Sequence, residues 1–280
     1  MNDNYSYTFG KKVYDLSART HVMGVINVTP DSFSDGGKFL KPEDAIAHGK
    51  KMESEGADFI DVGGLSTRPG AVEVSVDKEL KRVIPVISAL AKEVSIPISV
   101  DTYRAKVADE ALQAGALIVN DISAFGFDEA MAETIAKHKA SAIAMHIKGT
   151  PRDMQKDPQY DDLMAELIAY FEKTAWKANV AGIKQIIFDP GIGFGKTVAH
   201  NLQILKNLND LKRLDTPIMI GVSRKSMIGK ILNIEDINDR HEGTITLNTI
   251  GVINGANIIR VHDVTEGVRT ARVLDAYRLA

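Results

Sequence analysis

The sequence predicts an α/β protein, a (β/α)8 TIM barrel with a short N-terminal β-hairpin. Three observations carry that expectation. Apolar, β-branched runs of strand length alternate about eight times with segments of helical period. The runs are nearly continuous in apolar residues, as parallel strands covered on both faces are. No Pro/Gly/Ser-rich linker or charge block divides the 280 residues, so one barrel domain spanning 1–280 is the simplest organisation.

Tyr7 to Leu16 alternates apolar and polar residues around Gly10-Lys-Lys, which reads as a hairpin (7–16) outside the main architecture, with the barrel filling 21–280. The strand-like runs are Val22–Asn27, Phe59–Val62, Ile96–Asp101, Ala116–Asn120, Ala142–His146, Ile186–Asp189, Ile218–Val222 and Ile258–His262. Between them, Pro42–Glu55 opens with proline in a first-turn position and closes at Gly56. Val76–Val94 keeps Leu80, Val83, Ile84, Ile87 and Leu90 at helical spacing. Arg104–Ala114 closes at Gly115, and Asp161–Val180 closes near Gly182. Asp128–Lys139, His200–Leu208, His241–Asn254 and Thr265–Leu279 complete the set. An open doubly wound sheet would carry a dinucleotide fingerprint after its first strand, and Met23-Gly-Val-Ile-Asn27 has none.

Composition narrows the function. A net charge of -3 gives no basic footprint, so nucleic acid is not an expected partner. Any anionic substrate must be met by local cations. The chain has no cysteine, which excludes disulfides, thiolate nucleophiles and Cys-ligated zinc and fits a reducing compartment. No apolar run reaches membrane-spanning length, and the expected location is cytoplasmic, with no membrane partner.

The strand runs end at Asn27, Asp61, Asp101, Asn120, His146, Asp189, Ser223-Arg224-Lys225 and Arg260-Val-His262. Taken singly, each polar end reads most simply as a helix cap or a loop contact. In a barrel all eight converge on one face, where carboxylates and cations need a ligand or each other.

Several motifs sharpen this. From Met23 to Gly37 an apolar strand turns polar at Asn27, then runs through Pro30 and one isolated aromatic, Phe33, to Gly36-Gly37. Asp189-Pro-Gly-Ile-Gly-Phe-Gly-Lys-Thr197 has one residue too few between its first Gly and Gly-Lys-Thr for a nucleotide phosphate loop. Its glycines instead let backbone pass close to a flat ligand, and Asp189 can accept two parallel N–H donors. Ser223-Arg-Lys-Ser226 supplies a point donor in Lys225 and a fork or stacking face in Arg224. Arg260 and His262 alternate along one strand and suit an anion. Gly63-Gly-Leu-Ser-Thr-Arg-Pro-Gly70 is a second glycine-bounded loop, and Lys148, Arg152 and Asp153 read as solvated.

These motifs, with Ser-Val-Asp-Thr102 and Val-Asn-Asp-Ile122, run collinearly from about residue 21 to the C-terminus and closely resemble dihydropteroate synthase. The resemblance implies a transferase of folate synthesis. It joins 4-aminobenzoate to 6-hydroxymethyl-7,8-dihydropterin pyrophosphate, releases pyrophosphate, and is the target of sulfonamides. It implies that Asp101, Asn120, Asp189 and Lys225 bind the pterin, with Met145 and Phe194 lining its slot. It further implies Arg260 and His262 on the pyrophosphate, Asn27 on Mg2+, Thr67 and Arg68 near the phosphates, and Phe33, Pro69 and Ser226 around the aminobenzoate. It also implies Lys225, Arg260 and Asp101 as the catalytic set, and a homodimer through late helices. One departure stands out: where the family often has Glu in the second loop, this chain has Leu65. The chemistry agrees, since the pyrophosphate can leave from a methylene whose cation the electron-rich pterin delocalises, which calls for charge placement rather than a nucleophile. The alternatives are a pterin-binding methyltransferase domain serving a corrinoid, which should lack the Arg260/His262 pair, and a non-catalytic pterin binder.

The loops 29–38 and 66–72 hold Phe33 and Val72 as their large apolar side chains among Gly, Ser, Thr, Asp and Pro. So few anchors do not offset an ordering cost of roughly 1–2 kcal/mol per residue, so the loops are expected to order only around a ligand. Labelled 4-aminobenzoate should therefore bind weakly alone and much more tightly with Mg2+ and pyrophosphate. Equal affinity in equilibrium dialysis under both conditions would exclude this order.

Overall fold

The computed structural model describes residues 5–28, 42–67 and 74–280. Phe33, Arg68 and Pro69 lie outside the described residues. So does the expectation about the two loops, apart from Ser66 and Thr67.

Eight parallel strands form one sheet among the described residues: β3 (His21–Asn27), β4 (Phe59–Gly63), β5 (Ile98–Asp101), β6 (Ile118–Asp121), β7 (Ser141–Met145), β8 (Ile186–Asp189), β9 (Met219–Ile220) and β10 (Ile258–Val261). Their neighbour order is β8-β7-β6-β5-β4-β3-β10-β9. A parallel bridge between Phe188 and Ile218 joins the last pair, with Phe188 N donating to Pro217 O at 3.0 Å, so the sheet curls into the expected barrel.

Helices α1 (Pro42–Glu55), α2 (Val76–Glu93), α3 (Ala105–Gln113), α4 (Met131–Lys137), α5 (Leu163–Ala181), α6 (Val198–Lys206), α7 (Ser226–Leu232), α8 (His241–Ile253) and α9 (Val264–Leu279) follow the barrel strands one by one, except that α7 and α8 both follow β9. Most boundaries follow local chemistry. Ser75 caps α2 by accepting from Lys78 N, Asp162 caps α5 by accepting from Ala165 N, and Gly182 ends α5 at φ +92. The expected helix 128–139 is shorter, Met131–Lys137, because Asp128 is used in a turn before it: one carboxylate oxygen accepts from Ala130 N at 3.1 Å and the other from Ala105 N, at the start of α3, at 2.8 Å. Sequence reading also missed α7. It starts on Ser226 itself, and with two turns it offers too little period to detect.

The hairpin corrects one expectation. β1 (Ser6–Phe9) and β2 (Lys12–Asp15) pair antiparallel around Gly10, which sits at φ +61, but they are no appendage. Tyr5, Phe9 and Leu16 pack in one cluster with Met23, Phe59, Ile118, Ile143, Ile187, Met219 and Ile258, all from the barrel strands. Phe9 meets Phe59 edge-on at 5.3 Å, and Tyr7 donates its hydroxyl to Ile186 O at 2.7 Å. The hairpin therefore plugs the N-terminal end of the barrel with apolar side chains and leaves the other end for polar groups.

Truncating Phe9 to Ala should cost about 3–5 kcal/mol of stability, because Phe9 is 3% exposed and fills the plug. The site at the opposite end should keep its substrate affinity. Urea unfolding paired with pterin titration of the folded variant checks both.

Candidate active site

Four side chains meet across the barrel lumen. Asp61 on β4, Asp101 on β5, Asn120 on β6 and Arg260 on β10 come from the C-terminal parts of their strands. Arg260 donates Nε to Asp61 Oδ2 at 2.7 Å and Nη2 to Asp101 Oδ2 at 2.8 Å. Asn120 Nδ2 donates to the same Asp61 oxygen at 3.0 Å. Because side chains alternate along β6, Asn120 faces the lumen and Asp121 faces out. Asp121 accepts from Ser123 N, Ser123 Oγ and Phe125 N, holding a loop in which Ala124 and Phe125 adopt left-handed backbone.

The electrostatics are tightly coupled. Burial pushes the Asp101 carboxyl up to about 7, with Arg260 opposing and Asp61 adding to the rise. Burial works against the Arg260 charge, and the two carboxylates more than restore it. Asp61 is fully buried, and its Oδ1 has no hydrogen-bond partner among the described residues. One cation thus serves two carboxylates, and the lumen carries negative charge where a ligand's N–H groups would enter.

The second wall lies across the mouth. Asp189 ends β8 in register with Met145 on β7, is 5% exposed, and accepts from Gly191 N at 2.7 Å. Lys225 precedes α7 and donates to Ile192 O, with Nζ 4.7 Å from the centre of the Phe194 ring. Burial lowers the Lys225 pKa to about 8, with Asp189 pulling it back up. Burial also raises Asp189, opposed chiefly by Lys225. Phe194 packs with Ile122, Met145, Ile147, Met154 and Tyr103 in a small apolar cluster. A slot walled by an aromatic ring and methionine, with a buried carboxylate beside it, suits a flat heterocycle with an amidine-like edge.

Other expected residues fall around this centre. Asn27 ends β3 beside Gly63, where an added Cβ would lie 3.7 Å from both Asn27 Oδ1 and Asp101 Oδ2. Glycine there keeps open a gap lined by hard oxygen atoms. Among the described residues no group of three His, Asp or Glu could hold a metal by itself. A cation there fits only as one that takes few protein ligands and completes its shell from phosphates and water, as Mg2+ does. His262 follows β10, and its Nδ1 lies 3.0 Å from Ser223 Oγ. Thr67 is half-buried, and Ser226 is exposed at the start of α7.

Residues 23–262 match the pterin binding enzyme family. The dihydropteroate synthase of Synechocystis sp. is 48% identical over 95% of this chain and 93% of its own. The Yersinia pestis dihydropteroate synthase, solved with a sulfonamide drug, superposes with a TM-score of 0.94 at 43% identity, covering 98% of this chain and 100% of that one. The Xanthomonas albilineans dihydropteroate synthase in complex with 7,8-dihydropteroate gives 0.87 at 35% identity, covering 98% and 99%. The chain belongs to the dihydropteroate synthase family.

Within this family frame, three sequence expectations change. Arg224 is no fork over the slot: at φ +56 it turns away and pairs with Asp263, Nε at 3.1 Å and Nη2 at 2.6 Å. Lys148 is not simply solvated, since its Nζ lies 3.0 Å from Glu166 and 4.1 Å from the centre of the Tyr160 ring. Arg260 is taken up by two carboxylates, so its alternation with His262 does not make the two side chains an equivalent pair. Ile122 and Lys196 are site components that sequence reading did not single out, and Asp61 and His146 were read only as polar strand ends, without a role. Asp61 had a signal, two positions before Gly63 on one strand face. The Leu65 departure has a structural reading as well: that side chain is 8% exposed, a place for an apolar group.

Asp61 helps to raise the Asp101 pKa, and it shares Arg260 with Asp101. Asp61→Asn removes the like charge and leaves Arg260 more fully to Asp101, and both effects favour the carboxylate. The Asp101 titration should therefore move below about 7, read by carboxyl carbon NMR.

Proposed function

We propose that the chain joins 4-aminobenzoate to 6-hydroxymethyl-7,8-dihydropterin pyrophosphate, giving 7,8-dihydropteroate and pyrophosphate, with its two walls dividing the work. The carrying observation is the buried Asp189 beside Lys225 and Phe194, across the mouth from Asp101, Asn120 and Arg260. Asp189 accepts the ring N–H and exocyclic amine of the pterin, and Lys225 donates to its carbonyl or a ring nitrogen. Phe194 and Met145 hold the ring plane. Asp101 and Asn120 hold the opposite edge.

The methylene–oxygen bond breaks with its electron pair going to pyrophosphate, and the pterin ring spreads the positive charge. Asp101 and Asp189 oppose that charge through space. The aminobenzoate nitrogen then forms the new bond to the methylene carbon and loses a proton. His262, Thr67 and Arg68 hold the pyrophosphate, with Arg260 contributing a cation already half-neutralised by its carboxylates. Asn27 would hold Mg2+, which neutralises charge on the leaving pyrophosphate. Phe33, Pro69 and Ser226 flank the aminobenzoate, and sulfonamides compete there.

The working unit we propose is a cytoplasmic homodimer. Support comes from exposed apolar side chains on late helices: Ile231 and Leu232 on α7, Ile253 on α8, and Val273 and Tyr277 on α9. Among the described residues no helix is long and apolar enough to cross a membrane.

Formation of 7,8-dihydropteroate with release of pyrophosphate, requiring both substrates and Mg2+, tests the reaction; no dihydropteroate formed from the two substrates with Mg2+ overturns it. Asp189→Asn should weaken pterin binding by roughly a hundredfold, since charge-assisted bonds contribute about 1.5–3 kcal/mol each and an amide cannot accept from both donors. Calorimetric titration of a variant with an unchanged melting curve is the check.

A further inference from the structure

Lys196 ends the glycine-rich stretch after β8, and nothing above uses its charge. It is 2% exposed. Its Nζ has three acceptors: His146 Nδ1 at 2.8 Å, Phe194 O at 2.9 Å and His146 O at 3.3 Å. Three acceptors match the three N–H donors of an ammonium group. Burial, with the Lys196 charge beside it, lowers the His146 pKa to about 2, so the imidazole is neutral and its Nδ1 accepts. Burial likewise pulls Lys196 well below the usual lysine range, and the charge of Asp189 opposes that pull.

The cation has no carboxylate within ion-pair distance among the described residues. A buried ammonium with only neutral partners is a poor source of stability. What it does hold is the slot. Gly191 and Gly195 bring this stretch into backbone contact with the end of β7: an added Cβ would fall 1.9 Å from His146 O and 2.4 Å from Lys148 O. Lys196 ties the Phe194 carbonyl across that contact. Gln155 and Tyr160 tie Gly193 O at 2.6 Å and Gly195 O at 2.7 Å from the other side. The Phe194 ring, against Met145 and Ile122, stands on this tethered backbone.

We propose that Lys196 is a positioning residue for the pterin slot: its Nζ, bonded to Phe194 O and to His146, fixes the main chain under Phe194. The inference rests on the reading that Asp189 and Phe194 form that slot. Lys196→Met keeps length and removes the charge and all three donors. It should raise KM for pterin pyrophosphate about tenfold or more, while KM for 4-aminobenzoate and kcat stay within about threefold. A merely structural lysine would lower the melting temperature and the active fraction without moving one KM alone.

The absence of cysteine supplies the second arm. Lys196→Cys carries the chain's sole thiol. In denaturant its thiolate displaces bromide from 2-bromoethylamine, forming a C–S bond and restoring an ammonium at lysine length; iodoacetamide gives a neutral side chain of similar size. After refolding beside wild type treated identically, the ammonium adduct should recover pterin KM to within about threefold and the neutral adduct should not. Equal recovery by both adducts, an unchanged pterin KM in folded Lys196→Met, or equal rises for both substrates would overturn the proposal. Asp189→Asn in the same assay separates the readings. If it too leaves pterin affinity intact, the slot assignment is wrong. If it alone destroys affinity, only the role of Lys196 is wrong.

Discussion

One guanidinium shared between two carboxylates inside the barrel is the constraint on which the site depends. Arg260 reaches Asp61 and Asp101, 199 and 159 residues away in sequence, through the lumen. Replacing such a buried network with well-packed apolar side chains is often neutral or stabilising, while removing one partner costs about 3–5 kcal/mol. Its physical value is therefore less stability than a fixed arrangement of charge. It leaves the lumen short of one positive charge, and a pterin cation formed there would be held without any group having to move.

That arrangement is possible because the two ends of the barrel are built differently. At the N-terminal end the hairpin supplies Phe9 and Leu16 to a plug of aliphatic and aromatic side chains that covers the first residues of the strands. At the C-terminal end the inward positions become Asp, Asn, Arg and Gly. Gly63 and Gly191 are as much part of the site as the charges. One keeps space open between Asn27 and Asp101, and the other lets two loops touch at backbone distance.

Protonation follows from the same burial. Asp101 near 7 and Lys225 near 8 both lie close to neutrality because desolvation pushes an acid up and a base down, with each shift limited by an opposite charge nearby. A site built to stabilise a transient cation and a departing anion needs such groups poised rather than locked.

The sequence alone determined the strand order, the helices other than α7, the barrel, and the eight polar strand ends. These are local signals: hydrophobic period, glycine stops, and the change from apolar to polar at a strand's end. It determined the hairpin too, but not its job, because plugging a barrel is visible only once the strands' first residues are brought together. Only the tertiary structure decided the partners. It turned Arg224 away to Asp263, committed Arg260 to two carboxylates, and bent Lys196 back to His146, 50 residues earlier. Such contacts cross between elements far apart in the chain, and no one-dimensional pattern encodes which cation meets which anion in a closed lumen.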